Sequence, residues 1–414
     1  MEERIYIIGA GISGLVAAIE LEKAGFSPII LESSGEIGGR VKTDHQEGFL
    51  LDHGFQVINT AYPEAKRYLD FQALHLKTFD PGAVIFSGKE AYIISDPIRD
   101  PLKIVSMAFS KVGSFWDKVK MFSLTQELKR KTLDEIFNSP SIPTFQYLEN
   151  YGFSAQIIEN FFKPFFRGIF LEKHLNTSSR MFEYVFKMFA LGMAAVPEKG
   201  MGEIPKMLRQ QLGKTQIYFN SPVKDIQLGK ILLENGEELE FDRVIVAVQP
   251  ERILKQLQGQ FGKPQSVINL YFSLQKSFIA RPMIGLVTGG KLINNLVFMN
   301  DVSAAYAPKD RALLSVTVLE SDLEEKVLIE QVKKELEEIS GIKAEYFKFL
   351  KTFHIRHALP KIEDLKHTIP MTETKVMDKV YLAGDYLLNG SINAAMTSGR
   401  LAAEAVTHSL LPTH

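Results

Sequence analysis

The sequence contains no cysteine among its 414 residues. This absence excludes disulfide bonds, thiolate metal sites and redox centres built from paired thiols. The sequence also lacks a charge imbalance, because 48 Lys and Arg side chains stand against 49 Asp and Glu side chains. A formal net charge of −1 gives no support for nucleic acid as the main partner.

Long hydrophobic runs are absent as well. No apolar stretch approaches the ~20 residues that a membrane-spanning helix requires. The first residues indicate a strand and not a signal peptide. We therefore expect a cytoplasmic protein, with peripheral membrane contact as an open alternative. We predict no metal site, and a chain of this length with 45% hydrophobic residues can form two or three domains.

What the sequence does contain, at its start, is the pattern of a βαβ unit. An apolar run, Arg4–Ile8, is followed by a glycine loop at 9–14, an amphipathic run and a second apolar run ending at Leu31. In such a loop Gly9 makes the tight turn, Gly11 lets the backbone approach a pyrophosphate, and Gly14 lets the helix pack closely on the strand. The loop opens the helix, so its N–H groups face the phosphates. The pattern predicts a dinucleotide site.

The next segment narrows the choice of dinucleotide. Glu32 follows the second strand about 20 residues after the glycine loop, where an acid can accept hydrogen bonds from an adenosine ribose. An acid at this position disfavours a 2′-phosphate. A second glycine loop, 33–41, contains Arg40, whose guanidinium can bind the diphosphate of a larger dinucleotide.

Together, the loop at 9–14, Glu32 and Gly38-Gly39-Arg40 make the sequence resemble the FAD-dependent amine oxidase superfamily, which includes protoporphyrinogen oxidases and phytoene desaturases. The resemblance implies an α/β fold: a discontinuous, FAD-binding Rossmann-like domain plus an α+β substrate domain with a mostly helical insert. The implied FAD-binding domain comprises 1–80, 197–255 and 370–414. The substrate domain comprises 81–196 and 256–369, with the insert at 97–195. The implied cofactor is FAD, bound non-covalently, since no cysteine is present for a cysteinyl link.

A second cofactor motif lies near the C-terminus. An apolar strand ends in Gly384-Asp385, and a helix follows the loop at 389–395. The acid can accept a hydrogen bond from a ribityl hydroxyl, and the helix N-terminus can polarise the pyrimidine carbonyl of a flavin. Motifs at opposite ends of the chain predict one flavin held between them.

The resemblance also implies further cofactor contacts. It places Gly54, Phe55 and Gln56 beside the isoalloxazine ring and Val223 at the adenine. His53 remains open between a buried hairpin histidine and a functional group. The full predicted set of cofactor-binding residues is Gly9, Gly11, Ile12, Ser13, Gly14, Glu32, Ser33, Gly38, Gly39, Arg40, Gly54, Phe55, Gln56, Val223, Gly384, Asp385, Ser391, Ile392 and Ala395.

Two segments bear on the substrate. The stretch Phe153–Ala195 is rich in phenylalanine. Aromatic residues at helical spacing more often form a core, and the alternative is a wide apolar substrate cavity. The segment 100–131 combines apolar and basic residues and forms either a surface for peripheral membrane contact or a lid packed on the core.

The catalytic groups are less clearly indicated. The resemblance implies hydride removal to FAD, with electrons passed on to oxygen or a quinone. Related amine oxidases often have a lysine at the position of Asn269 and an aromatic residue at that of Ser391, so an aromatic cage for an amine is disfavoured here. The weak catalytic candidates are Asn269, Gln56 and Lys276. Lys276, His354 and His357 are possible acid–base groups, and each is more often structural as a lone residue.

We therefore predict an FAD-dependent oxidoreductase that removes hydride from a bulky hydrophobic substrate, such as a polyene, a terpenoid or a tetrapyrrole. The alternatives are a flavin amine oxidase acting on a small amine, and a redox-neutral isomerase or non-catalytic flavoprotein.

Overall fold

The computed structural model describes residues 3–95, 113–227 and 229–410. The helices are α1 Ile12–Lys23, α2 Pro63–Tyr68, α3 Phe115–Arg130, α4 Leu133–Phe137, α5 Thr144–Asn150, α6 Ala155–Ile157, α7 Lys163–Phe170, α8 Ser179–Leu191, α9 Glu203–Gln210, α10 Met299–Val302, α11 Glu325–Ser340 and α12 Ile392–Leu410. A π-helical turn, Ile158–Phe162, joins α6 to α7.

The strands are β1 Ile5–Ile8, β2 Ile29–Leu31, β3 Thr43–Gln46, β4 Phe49–Asp52, β5 Ile58–Asn59, β6 Lys77–Thr78, β7 Gly82–Ser87, β8 Glu90–Ser95, β9 Ala194–Val196, β10 Gln216–Tyr218, β11 Val223–Gln227, β12 Lys230–Leu233, β13 Glu238–Glu240, β14 Arg243–Val246, β15 Gly262–Leu274, β16 Ile284–Val287, β17 Ile293–Phe298, β18 Ala312–Val318, β19 Lys348–Lys361, β20 Lys375–Met377 and β21 Val380–Leu382.

Segments far apart in the sequence build one six-stranded sheet, in the order β10-β2-β1-β14-β21-β20. The first five strands run parallel, and β20 pairs antiparallel at the edge. The central strands β1 and β14 are almost entirely apolar and buried, as expected for a parallel sheet covered on both faces. Because parallel strands end at the same edge, the loops after β1, β2, β14 and β21 lie together there.

A second sheet has seven strands in the order β19-β15-β18-β17-β16-β7-β8. It is antiparallel except for the pair β16–β7. Leu328, Val332 and Leu336 of α11 are buried in the apolar cluster that includes side chains of this sheet. The six-stranded sheet draws on 5–31, 216–246 and 375–382, whereas the seven-stranded sheet draws on 82–95 and 262–361. The domain boundaries themselves remain a prediction.

The phenylalanine-rich segment forms helices, and its side chains serve two purposes. Phe162, Phe170 and Phe182 are buried in a separate apolar core. Phe161 and Phe186 are only partly buried and line a cavity. The rings of this segment are therefore divided between a core and a cavity wall.

The segment proposed for membrane contact is described only from residue 113 onward, so the prediction for residues 100–112 falls outside the described part of the chain. Helix α3 begins with a capping box, in which Ser114 and Asp117 each accept from the other's backbone N–H. Its outer face exposes Phe115, Trp116 and Phe122. Among the described helices, none is both long and apolar enough to cross a bilayer.

A candidate cofactor and substrate cavity

A single continuous cavity of about 1210 Å³ is bordered by both large sheets and by the helical segment. This volume exceeds the roughly 300–1,000 Å³ of common small-molecule sites. The predicted cofactor loops line part of it, and aromatic and aliphatic side chains of the helical segment line another part, here called the apolar end or apolar chamber. The cavity therefore has room for a dinucleotide and a further molecule.

The first glycine loop presents bare backbone to this cavity. A Cβ atom built on Gly11 would meet no atom within 4 Å, so it would project into the open space of the cavity. A Cβ on Gly14 would instead collide with the carbonyl of Gly9, so Gly14 is needed for packing, and it is not among the residues that line the cavity. The N-terminus of α1 thus faces open space in which a phosphate could lie.

Glu32 is buried at the cavity wall and firmly held. Its Oε2 accepts from the Ala10 N–H at 2.8 Å, and its Oε1 accepts from the Ser34 N–H at 2.8 Å and the Ser34 hydroxyl at 2.7 Å. Each carboxylate oxygen has about two acceptor positions, so Oε2 can accept one more hydrogen bond. This is the geometry that recognition of a ribose hydroxyl requires.

The two cofactor motifs meet through an ion pair. The Nη2 of Arg40 lies 2.5 Å from Oδ1 of Asp385, although 345 positions separate them in the sequence. Arg40 Nη1 also donates to the carbonyl oxygen of Ala358 at 3.1 Å. The carboxylate of Asp385 raises the pKa of Arg40 above its usual value. The two residues therefore contact each other in this structure, and their predicted roles in diphosphate and ribityl binding stay predictions.

Four polar atoms along the cavity lining lie buried without a hydrogen-bond partner in the described structure: Gln56 Oε1, Lys118 Nζ, His357 Nδ1 and the Tyr386 hydroxyl. Burial lowers the pKa of His357, and the positive charges of Arg252 and Arg40 lower it further. Unpaired buried polar groups are costly. A polar ligand in the cavity would relieve this cost, so the lining fits a cofactor such as FAD.

The loop before α12 uses its serine as a cap. The Ser391 hydroxyl accepts from the Ala394 N–H at 3.0 Å and donates to Asn389 Oδ1 at 2.7 Å. Ile392 and Ala395 line the cavity beside it. The start of this helix therefore faces the cavity, and Ser391 is occupied in holding it there.

Several predicted residues lie elsewhere. Val223 is on β11 and, like Gly14, is not a lining residue. Asn269 is fully buried on β15, where its Oδ1 accepts from Ser315 and Thr317. Lys276 and His354 are exposed and do not line the cavity. The structure therefore removes support for Asn269, Lys276 and His354 as groups that touch a substrate.

His53 also has a structural explanation. Its Nε2 lies 2.7 Å from Asp44 Oδ1, and its ring packs on Phe353 with 4.6 Å between centroids.

The other members of the predicted cofactor set line the cavity: Gly9, Gly11, Ile12, Ser13, Glu32, Ser33, Gly38, Gly39, Arg40, Gly54, Phe55, Gln56, Gly384, Asp385, Ser391, Ile392 and Ala395.

Sequence reasoning missed Asp52, Lys118 and Tyr386. Asp52 is fully buried, and burial raises the pKa of its carboxyl to about 6 despite hydrogen bonds from Thr43 and Tyr306. The only sequence signals were a charged residue ending the apolar strand β4 and a tyrosine directly after Asp385.

Among the described residues, no group of three His, Asp or Glu side chains could hold a metal ion.

These features define a class: a dinucleotide-binding α/β protein whose cofactor loops open into an apolar chamber. The chain belongs to the flavin containing amine oxidoreductase family, whose model matches residues 12–407. The family match confirms the predicted family, the fold class and FAD as the cofactor, and it supports the predicted class of enzyme.

Individual relatives show how far this similarity reaches. Protoporphyrinogen oxidase 2 of Arabidopsis thaliana is 26% identical over 168 residues, which are 40% of this chain and only 32% of that protein. The hydroxysqualene dehydroxylase of Zymomonas mobilis is 23% identical over 98% of this chain and 99% of its own length. The crystal structure of an oxidoreductase from Methanosarcina mazei is 17% identical, covers 97% of this chain and 100% of its own, and superposes with a TM-score of 0.75. At that identity the structural likeness shows the fold alone.

Proposed function

We propose that the chain oxidises a bulky, largely apolar molecule, such as a polyene, a terpenoid or a tetrapyrrole. The observation that carries the proposal is the chamber that continues from the cofactor loops. Phe161 and Phe165 stack there with 5.6 Å between ring centroids, and Phe189 packs against Phe165, also at 5.6 Å. Such a surface gains free energy by burying apolar area and offers few hydrogen bonds to a small polar substrate.

We propose that FAD lies along the polar end, with its diphosphate at the N-terminus of α1 and its adenosine ribose at Glu32. Arg40 and Asp385 would then exchange their mutual contact for the diphosphate and a ribityl hydroxyl. Gly54 and Gln56 would border the ring. When bound, FAD supplies a hydride acceptor, and the chain's own residues supply position and exclusion of water.

Positioning is the main contribution that we assign to the protein. The aromatic side chains hold an apolar substrate by shape, and the polar wall formed by Asn295 and Thr317 borders the same cavity. Asn295 Nδ2 donates to Thr317 Oγ1 at 3.1 Å, and Thr317 in turn donates to Asn269 at 3.3 Å. These hydrogen bonds hold the side chains of Asn295 and Thr317 in place at the cavity wall. We infer that the electrons pass on to oxygen or a quinone.

The amine alternative has weaker support. The lysine position of related amine oxidases is here the buried Asn269, and the aromatic position is Ser391, which caps α12. An amine would therefore lack both the lysine and the aromatic cage.

Anaerobic mixing of the yellow protein with a polyene hydrocarbon, a reduced tetrapyrrole and the diamine putrescine tests these alternatives. We expect an apolar compound to bleach the visible flavin band and to lose two hydrogen atoms by mass. Bleaching by putrescine alone would favour the amine oxidase. A product of unchanged mass, with FAD oxidised again at the end, would favour an isomerase. Re-oxidation with oxygen or a quinone then identifies the acceptor.

We also propose that the protein is cytoplasmic and contacts membranes peripherally through 100–131. The described part of that segment exposes 62% of Phe115, 68% of Trp116 and 51% of Phe122 on α3, and apolar side chains of this size anchor helices in the lipid interface. The protein should sediment with anionic lipid vesicles, and the double substitution Phe115→Ser and Trp116→Ser should abolish sedimentation without loss of FAD. Equal sedimentation of both proteins would contradict the proposal.

A further inference from the structure

Helix α3 places one lysine in the apolar end of the cavity. Lys118, Met121 and Thr125 follow one another at helical spacing and all line the chamber. The Nζ of Lys118 is buried and has no hydrogen-bond partner in the described structure. The lining side chains that α6, the π-helical turn, α7 and α8 contribute to this end include many apolar ones: Ile157, Phe161, Phe165, Met181, Val185 and Phe186.

The carboxylate of the neighbouring residue in the sequence is already engaged. Asp117, the neighbour in sequence, accepts four hydrogen bonds from the N–H groups and hydroxyls of Ser114 and Ser154. Its charge raises the pKa of Lys118, but the effect of burial is larger and in the opposite direction. Asp117 thus offsets only part of the cost of burying the ammonium group.

The acids that line the cavity are held elsewhere or face solvent. Glu32 is held by Ala10 and Ser34, and Asp385 is paired with Arg40. The other lining acids are Asp80 and Glu363, which are exposed, and Glu251, which accepts from the Phe261 N–H. None of the ion pairs found in the described residues includes Lys118.

A buried ammonium group at this position destabilises the folded protein unless a negative charge pairs with it. A buried cation without a counter-charge is destabilising, and burial accordingly lowers the pKa of Lys118. A methionine or leucine would fill the same space without this cost. The lysine is therefore understandable if the chamber holds a ligand with one negative charge.

We propose that Lys118 binds a single carboxylate of an otherwise apolar substrate and so fixes which end of that substrate points away from the cofactor loops. The inference rests on the proposed function and names its substrate class: amphipathic acids. A lone ammonium is a point charge that matches one carboxylate, whereas a phosphate dianion is typically bound by several donors or by arginine forks. The aromatic cluster would hold the apolar body of the substrate.

Binding of cis-parinaric acid, a fluorescent polyene carboxylic acid, and of its methyl ester to the FAD-loaded full chain tests the proposal. The wild-type protein should bind the acid roughly tenfold more tightly than Lys118→Met does, a change of about 1.4 kcal/mol. The ester should bind both proteins equally. Lys118→Arg should keep the preference for the acid. Lys129→Met, a neutralisation on the same helix away from the cavity, should bind like the wild type.

The outcomes separate the two claims. Equal affinity of the wild-type protein and Lys118→Met for the acid, or no discrimination between acid and ester by the wild type, would overturn the role of Lys118 and leave the apolar chamber standing. Failure of both probes to bind the wild type would overturn the apolar substrate, and the carboxylate with it. Retained FAD content in Lys118→Met shows that the variant is folded.

Discussion

Asp52, at the end of β4, ties its hairpin to three other parts of the chain. Its side chain accepts from the hydroxyls of Thr43 and Tyr306 and from the Met201 N–H. Its backbone carbonyl accepts from the Tyr271 hydroxyl at 3.0 Å. These donors come from β3, from the turn after α10, from the segment before α9 and from β15. None is a cation, so burial dominates and favours the protonated acid.

The raised pKa of Asp52 has a consequence for stability with a definite sign. An unperturbed aspartate has a pKa of 3.8, and burial raises that of Asp52 to about 6 in the folded protein. Its contribution to the free energy of unfolding is therefore full below about pH 4 and falls as pH rises through 6. Asp52→Asn removes this dependence. The unfolding free energy of the variant minus that of the wild type should rise by on the order of 2–3 kcal/mol between pH 4 and pH 7, measured by urea titration. Parallel pH profiles for the two proteins would contradict the assignment.

Asp44→Asn provides a matched control of opposite sign. Partial burial raises the pKa of Asp44, but hydrogen bonds from Lys351 and His53 lower it overall. A depressed pKa stabilises the folded protein above the pKa of the unfolded chain, and this contribution is lost as pH falls through the folded-state value. The advantage of the wild type over Asp44→Asn should therefore be present at neutral pH and shrink only in acid.

At this scale the sequence was informative where a residue type has one strong reason to occupy a position. Gly11 meets a local backbone requirement, and the acid Glu32 meets a local charge requirement. Asn269 and Lys118 do not: whether a polar side chain on a strand or helix faces a cavity depends on the rotation of that element against its neighbours. That rotation is set by distant packing, which no local pattern contains.

The phenylalanine-rich helical segment shows the same limit of prediction from local sequence patterns. Phe161 and Phe162 are adjacent in the π-helical turn, yet one lines the cavity and the other is fully buried. Periodicity predicted that the segment was helical and aromatic. It could not divide the rings between core and chamber, because the chamber wall exists only once β7, β16 and β17 are in place.

This pair gives a prediction with its own internal control. Phe162→Ala should lower the free energy of unfolding by about 3–5 kcal/mol, the usual cost of a cavity left by a buried phenylalanine. Phe161→Ala should cost clearly less, since its ring is partly accessible, but should weaken binding of methyl parinarate. Urea unfolding and fluorescence titration measure the two effects. Equal stability losses would mean that Phe161 belongs to the core.

On the scale of the whole molecule, the described structure brings the first and the last motifs to one sheet edge. The sequence predicted this convergence because both motifs were expected to bind the same ligand. The parallel pairing of β21 with β14 brings them together. The extent of the apolar chamber could not be predicted in the same way. Its walls come from several stretches of chain that are far apart in the sequence.

Binding of FAD should therefore protect the first and the last cofactor motifs from hydrogen exchange at the same time. In hydrogen exchange, addition of FAD to the apoprotein should protect amides in 9–14 and in 384–395 together, while α11, which packs on the second sheet, should be unaffected. At FAD concentrations of 100 times Kd the stabilisation should be about 2.7 kcal/mol. Protection restricted to 9–14 would contradict a shared site.

The position of β21 also bears on biosynthesis. This strand, Val380–Leu382, inserts beside β14 in the parallel sheet, and Asp385 follows it. A nascent polypeptide leaving the ribosome presents the phosphate loop early but lacks the opposite wall until these later residues emerge. We therefore expect capture of the cofactor to be a late event in maturation, after the aromatic region has already been translated.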